Sequence, residues 1–217
     1  MVSEEFIKSV SATDFQIEEF VRTIIHDQHA RDAVIDLMID HADIMVYYHC
    51  YEILNQASRR QPELFYPYWE RIANLLDHPN SYHRDFGLDL IANLAAVDEQ
   101  NLFSGIAAAY YAHVNDAKFM TACCYCVLNL QRIYKNKEEQ RCKILDLLLE
   151  IDRHCSFPEK QMALMKYDVM ELFEQVYENT SAAYRMKISG FIQAQVESIS
   201  PKTRRKAKQL MKEFEIG

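Results

Sequence analysis

Residues 77–94 read DHPNSYHRDFGLDLIANL, and this stretch decides the fold. Asp77-His78-Pro79-Asn80 is a compact turn that carries its own helix N-cap. Beyond it, Gly87, Ile91 and Leu94 fall at 0, +4 and +7, one stripe of a helix with 3.6 residues per turn. Residues 114–130, VNDAKFMTACCYCVLNL, lie over 78–94 without a gap. Cys123, Val127 and Leu130 then match Gly87, Ile91 and Leu94, and Asn129-Leu130 matches Asn93-Leu94. The same spacing returns in Cys50–Ile53/Leu54–Ala57, Met165–Val169–Leu172 and Ala207–Met211–Phe214. The sets begin at 50, 87, 123, 165 and 207, so the intervals are 37, 36, 42 and 42 residues. A fixed period of roughly 20–50 residues is the signature of a solenoid.

Composition agrees with a helical chain. Of 217 residues, 49% are apolar, enough for a substantial core, while only 4 are Gly and 5 Pro. A β-rich chain of this size needs more turn glycines, so nearly all helix with short connections is expected. The formal net charge of −8 disfavours a role that draws its affinity from phosphate neutralisation. There is no N-terminal signal pattern and no apolar run of roughly 18 residues, so a soluble, cytoplasmic protein without a membrane role is expected. In that compartment the 6 cysteines read as reduced thiols.

Working outward from the repeat, residues 1–12 are polar and read as frayed. A capping helix over 13–27 follows, opened by Thr13 or Asp14, with a stripe of Phe15, Ile17, Phe20, Val21, Ile24 and Ile25. Five helix pairs then cover about 30–59, 63–96, 99–134, 137–178 and 181–214. Asp43 opens the second helix of pair one, and Asn115-Asp116 links the helices of pair three. Pro158 and Pro201 start the second helices of pairs four and five, where a missing N–H costs nothing. The lengthened period places extra residues near 135–137, 154–157 and 178–181. One domain over 1–217 is expected. Position 0 is small in Cys50, Gly87, Cys123 and Ala207, which would let adjacent second helices approach closely.

This pattern resembles the HEAT-like repeats of the armadillo-type α-solenoids over about residues 30–215. The resemblance rests on Asp77, Arg84 and Gly87 in pair two and on Arg204 and Ala207 in pair five. HEAT second helices typically open with an Arg three residues before a small one. Here Tyr47, Met120 and Met162 replace it in the other copies. The family implies an all-α, right-handed α-α superhelix of about five pairs plus the N-terminal cap, with second helices lining a concave face. It implies no activity.

Candidate chemistry is sparse. Cys123-Cys124-x-Cys126 suggests a metal, but structural zinc needs four converging ligands. Cys123 and Cys126 share a helix face, Cys124 does not, and a fourth ligand would have to come from His113, Cys142 or Cys155. Small thiols in a tight helix crossing explain the cluster more simply. Asp36, Asp40 and Asp43 with His41 form the nearest carboxylate–imidazole group, and a solvated face with an N-cap accounts for them. No phosphate-cradling Gly loop and no G-x-S-x-G stretch is present. No cofactor, metal or enzymatic activity is expected.

Aromatic residues concentrate in pairs one and two: Tyr47, Tyr48, Tyr51, Phe65, Tyr66, Tyr68, Trp69 and Tyr82. One narrow stripe cannot bury Tyr47, Tyr48 and Tyr51 together, so part of this cluster should reach the surface, with Tyr48 and Trp69 as the candidates. Positions −2 and +2 around the small residue add Glu52, Asp85, Asp89, Thr121 and Tyr125. Together these describe an acidic, tyrosine-bearing face that would bind a basic protein or peptide. The last helix is basic (Lys202, Arg204, Arg205, Lys206, Lys208, Lys212) and reads as the solvated end cap of a repeat array. A scaffold for protein interaction is therefore expected. The alternative is a HEAT-like DNA-binding protein or DNA glycosylase for alkylated bases, which would need a basic groove and more aromatic residues. HEAT-like bilin lyases have shorter repeats.

Overall fold

The structure is a computed structural model that describes residues 4–12, 14–115 and 120–217. Thr13 and Asp116 lie outside the described residues. Among the described residues the chain is all-α, with no strand. It divides into two compact units, Met1–Ala107 and Ala108–Gly217.

The first unit contains α1 (Glu4–Val10), α2 (Ile17–His26), α3 (Gln28–Asp40), α4 (Ile44–Arg60), α5 (Trp69–Ala73) and α6 (Ser81–Leu94). The reading of residues 1–12 as frayed is corrected by α1. Val10 is fully buried, its carbonyl lies 2.6 Å from His49 Nδ1, and Phe6 meets Phe20 edge-on at 5.7 Å. A few apolar residues anchor the segment through contacts that are distant in sequence.

Helix ends follow side-chain chemistry. Asp27 closes α2 and caps α3, accepting from the backbone N–H groups of His29 and Ala30. Asp43 caps α4 through Met45 N at 2.8 Å, and Asn80 caps α6 through Tyr82 N at 3.0 Å. Two residues upstream of each cap a His ring accepts the cap's own N–H: His41 Nδ1 from Asp43 and His78 Nδ1 from Asn80, both at 3.1 Å. These bonds satisfy donors that a helix start would otherwise leave orphaned.

The expected helix over 63–76 is broken. Residues 62–64 and 66–68 form 3-10 turns, α5 spans only 69–73, and 74–77 returns to 3-10 geometry. Pro67 lacks the N–H that a continuous helix would use, and its ring clashes with the preceding turn.

α4 packs on α2, α3 and α6. Its repeat set is fully in the core: Cys50 and Ala57 are 0% exposed and Leu54 2%. α6 is buried at every residue from His83 to Leu94. Gly87 makes the close approach, but not the one expected. A Cβ there would lie 3.0 Å from Leu75 Cβ and 3.4 Å from Ile72 O, so the tight crossing is with the first helical segment of its own pair.

α7 (Leu102–Ala112) carries the division between the units, and the Asp98 carboxylate receives the N–H groups of Leu102 and Phe103 at its start. The second unit continues with α8 (Met120–Asn136), α9 (Arg141–Leu149), α10 (Ile151–His154), α11 (Glu159–Val176), α12 (Ala182–Ala194) and α13 (Pro201–Glu213). α11 packs on α8 and α13, and α12 on α9 and α13. Cys123, Leu130, Met165, Val169, Leu172 and Ala207 are all buried. Pro201 starts α13 as expected, with Ser200 as its cap, whereas Pro158 stands one position earlier, as the cap residue of α11. The segment expected as one helix over 137–153 opens with a 3-10 turn at 138–140 and is interrupted at Glu150.

The basic last helix is less solvated than its composition suggests. Lys206 is 8% exposed and lies 2.9 Å from Glu171 and 2.6 Å from Glu174. Lys202 sits 3.6 Å above the Tyr167 ring, and Arg204 donates to Ser198 O. A buried ammonium persists only when its charge is met by partners. These four contacts tie α13 to α11 and to the turn that precedes it.

Candidate functional site

The face between α4 and α6 gathers most of the residues selected from the sequence. Both helices start at a side-chain cap, Asp43 for α4 and Asn80 for α6. Tyr51 and Phe86 stack at 4.0 Å with an interplanar angle of 8°, and this contact sets the two helices side by side. Below it runs a polar seam. Tyr51 OH donates to Asp89 Oδ2 at 2.7 Å, Arg59 lies 3.6 Å from Asp89 Oδ1, and Asn93 Nδ2 donates to Asn55 Oδ1 and Ser58 Oγ, both at 2.9 Å. Asp85, Asp89 and Asn93 lie four residues apart, on one face of α6. Buried polar groups need such partners, and here they also hold the register of the two helices.

At the outer end of the same face the surface turns apolar. Ile44 is 45% exposed, Met45 41% and Tyr82 44%. Tyr48 is half-buried between them and meets Tyr82 edge-on at 6.4 Å. Ile44 and Met45 precede Tyr48 by four and three residues, so helical geometry puts all three on one side of α4. Glu52, also half-buried, follows one turn below.

Not every residue selected from the sequence reaches this surface. Trp69 is corrected: it is 4% exposed and packs edge-on against Tyr66 at 5.8 Å, inside the core of the first unit. Trp69 stands four residues after Phe65, three before Ile72 and seven before Leu76, all buried, so it belongs to the core stripe of this segment. Asp85 and Asp89 are each 4% exposed. Because α6 is enclosed from His83 to Leu94, its −2 and +2 positions are interior ones. Thr121 is exposed and Tyr125 half-buried, and both belong to the second unit. Ile44, Met45 and Tyr82 were not singled out as site residues. Their signal was available in part, since two large apolar side chains directly after a cap have little helix to pack against.

The titratable groups are shaped by burial. His83 is 3% exposed, stacks on His78 at 4.2 Å and lies 4.9 Å from Tyr47. Burial, then the neighbouring His78, holds its imidazole below the ordinary value, against the opposing pull of Asp40 and the Met38 and Ile39 carbonyls. Burial pushes the Cys50 thiol up to about 12, which leaves it a packing group. Burial, followed by the Asp98 carboxylate that its hydroxyl contacts at 2.7 Å, raises Tyr66 to about 12. The carboxylates near His41 are engaged elsewhere: Asp36 pairs with Arg71 at 2.8 Å and Asp43 caps α4.

Among the described residues, no group of three or more His, Cys, Asp or Glu side chains is placed to hold a metal ion. No helix there is long and apolar enough to cross a membrane. Comparison with protein-family models, with curated proteins and with solved structures finds no match to this chain.

Proposed function

We propose that the chain is a non-enzymatic interaction module built from HEAT-like helix pairs, and that it binds a basic protein or peptide on the α4/α6 face of its first unit. The observation that carries this is the cluster of Ile44, Met45 and Tyr82, each more than 40% exposed, around the half-buried Tyr48. Isolated exposed apolar residues are ordinary, but a contiguous group rimmed by polar residues marks an interaction site. Tyrosine suits such a face because it offers a large rigid surface at small entropic cost. Glu52, one turn below Tyr48, and the acidic balance of the whole chain favour a cationic partner.

HEAT-like repeats are supported by more than spacing. Arg84 Nη1 donates to His78 O at 2.6 Å, and Arg204 Nη1 donates to Ser198 O at 2.6 Å, in both cases six residues back. The two copies that carry this Arg therefore use it for the same task, each on the turn before its own helix.

The test is affinity capture from the native lysate with the full chain and with Tyr48→Ala/Tyr82→Ala. Wild type should retain a salt-sensitive partner that the variant, folded to the same thermal stability, loses. A variant that keeps every partner of the wild type overturns this surface.

A further inference from the structure

Two thiols meet in the core of the second unit. Cys123 on α8 and Cys155, in the short link between α10 and α11, have their Sγ atoms 3.4 Å apart. Both reach the same acceptor, Val114 O, at 3.2 Å and 2.9 Å, and Met165 Sδ lies 3.7 Å from Cys123. They come from segments separated by 155 − 123 = 32 positions. Packing alone explains why small residues stand here. It does not require sulfur in both places, facing each other.

We propose that Cys123 and Cys155 are a dithiol pair that hydrogen peroxide converts to a disulfide within the folded protein. A disulfide needs sulfurs about 2.0 Å apart, so the pair must close by about 1.4 Å. Cys155 can supply that movement. It lies outside any helix, with extended backbone angles of φ −119 and ψ 142, so its side chain is not confined by a helical turn.

The chemistry balances with the peroxide as oxidant. Cys155 is the attacking sulfur, because it is 5% exposed whereas Cys123 is 0%. Its thiolate is also the favoured one of the pair: the adjacent Cys123 thiol holds its pKa down, while the pKa of Cys123 is pushed up. The Cys155 sulfur attacks one peroxide oxygen, the O–O bond breaks, and the leaving oxygen departs as water with a proton. Cys155 is then a sulfenic acid. Cys123 attacks that sulfur, an S–S bond forms and the S–O bond breaks, and the Cys123 proton leaves with the oxygen as a second water. Two thiols are oxidised and one peroxide is reduced to two waters. The link joins α8 to the segment before α11 and restricts the unfolded chain, so the oxidised form is the more heat-resistant one.

The experiment uses the full chain, folded and fully reduced, exposed to hydrogen peroxide, then unfolded and alkylated. Tryptic peptides 119–132 and 154–160 should appear joined, separable by dithiothreitol, with fragmentation placing the bond at Cys123 and not at Cys124 or Cys126. The joined species should vanish in Cys123→Ser and Cys155→Ser and persist in Cys124→Ser, and Tm should rise by several degrees in the oxidised wild type. Two results overturn the proposal. One is peroxide modification of the exposed Cys142 and half-buried Cys124 while Cys123 and Cys155 remain alkylatable. The other is a link that forms only in urea. Fragmentation of the wild-type peptide decides the bonding even if Cys123→Ser fails to fold.

Discussion

Arg84 and Arg204 each stand fourth in their helices, α6 and α13, and each has its Nη1 atom 2.6 Å from the carbonyl oxygen six residues upstream. Each guanidinium fastens the turn that precedes its helix, and Arg84 also reaches Pro79 O at 3.2 Å. Charge-assisted bonds of this kind contribute more than neutral ones. Arg84→Met should therefore lower the stability of the full chain by about 2 kcal/mol. Arg84→Lys should recover part of that loss, since an ammonium can reach one carbonyl but lacks the fork. Urea unfolding of the three proteins checks the order, and a silent Arg84→Met would refute the anchoring role.

Three helical glycines separate packing from propensity. Gly87→Ala gains about 1 kcal/mol of helix propensity. Its new Cβ, however, would meet Leu75 Cβ at 3.0 Å and Ile72 O at 3.4 Å, and the backbone carbonyl cannot retreat like a side-chain tip. The net effect should be a destabilisation of roughly 1–2 kcal/mol. Gly105 and Gly190 have nothing within 4 Å of a built Cβ. Gly190→Ala, inside α12, should raise stability by roughly 0.5–1 kcal/mol. Opposite shifts in Tm are the readout.

Core and surface aromatics should part clearly. Trp69→Ala removes a nearly fully buried side chain and should cost about 3–5 kcal/mol. Tyr82→Ala removes an exposed one and should cost under about 1 kcal/mol. Thermal unfolding monitored by circular dichroism distinguishes the two. Comparable losses would mean that Tyr82 is structural and unsuited to partner binding.

His83 predicts a pH dependence with a definite sign. In the unfolded chain its imidazole takes up a proton near the ordinary value of 6.5, whereas in the folded protein burial and His78 lower that value. The unfolded state therefore binds more protons as pH falls below about 6.5, and its contribution to stability declines there until the folded value is passed. Stability measured between pH 5 and 8 should fall on the acid side, and His83→Phe should flatten that slope. An unchanged slope would assign the acid sensitivity to other groups.

Legibility in the sequence followed the range of the interactions. The caps at Asp43 and Asn80, the start of α13 at Pro201 and the repeat sets are local or periodic features, and the chain displays them directly, although Met211 and Phe214 of the last set are only half-buried. The break at Pro67 was also local, but the apolar pattern over 63–76 masked it. Trp69 was legible too: with Phe65, Ile72 and Leu76 it makes one apolar stripe, and all four are buried. The close approach at Gly87 was legible as a need for a small residue. Its partner, Leu75, was not, because spacing says how much room a helix leaves and not which neighbour enters it.

The sequence by itself determined an all-α chain and much of its core, because hydrophobic periodicity and capping act within a few turns. Only the tertiary structure decided which faces remain open. It enclosed α6 from His83 to Leu94 and made Asp85 and Asp89 interior, left Ile44, Met45 and Tyr82 exposed, and set Cys123 against Cys155. Each of those outcomes depends on the rotation of one helix against another. That rotation is fixed by contacts between residues more than thirty positions apart, such as Tyr51 with Asp89, and no local pattern records it.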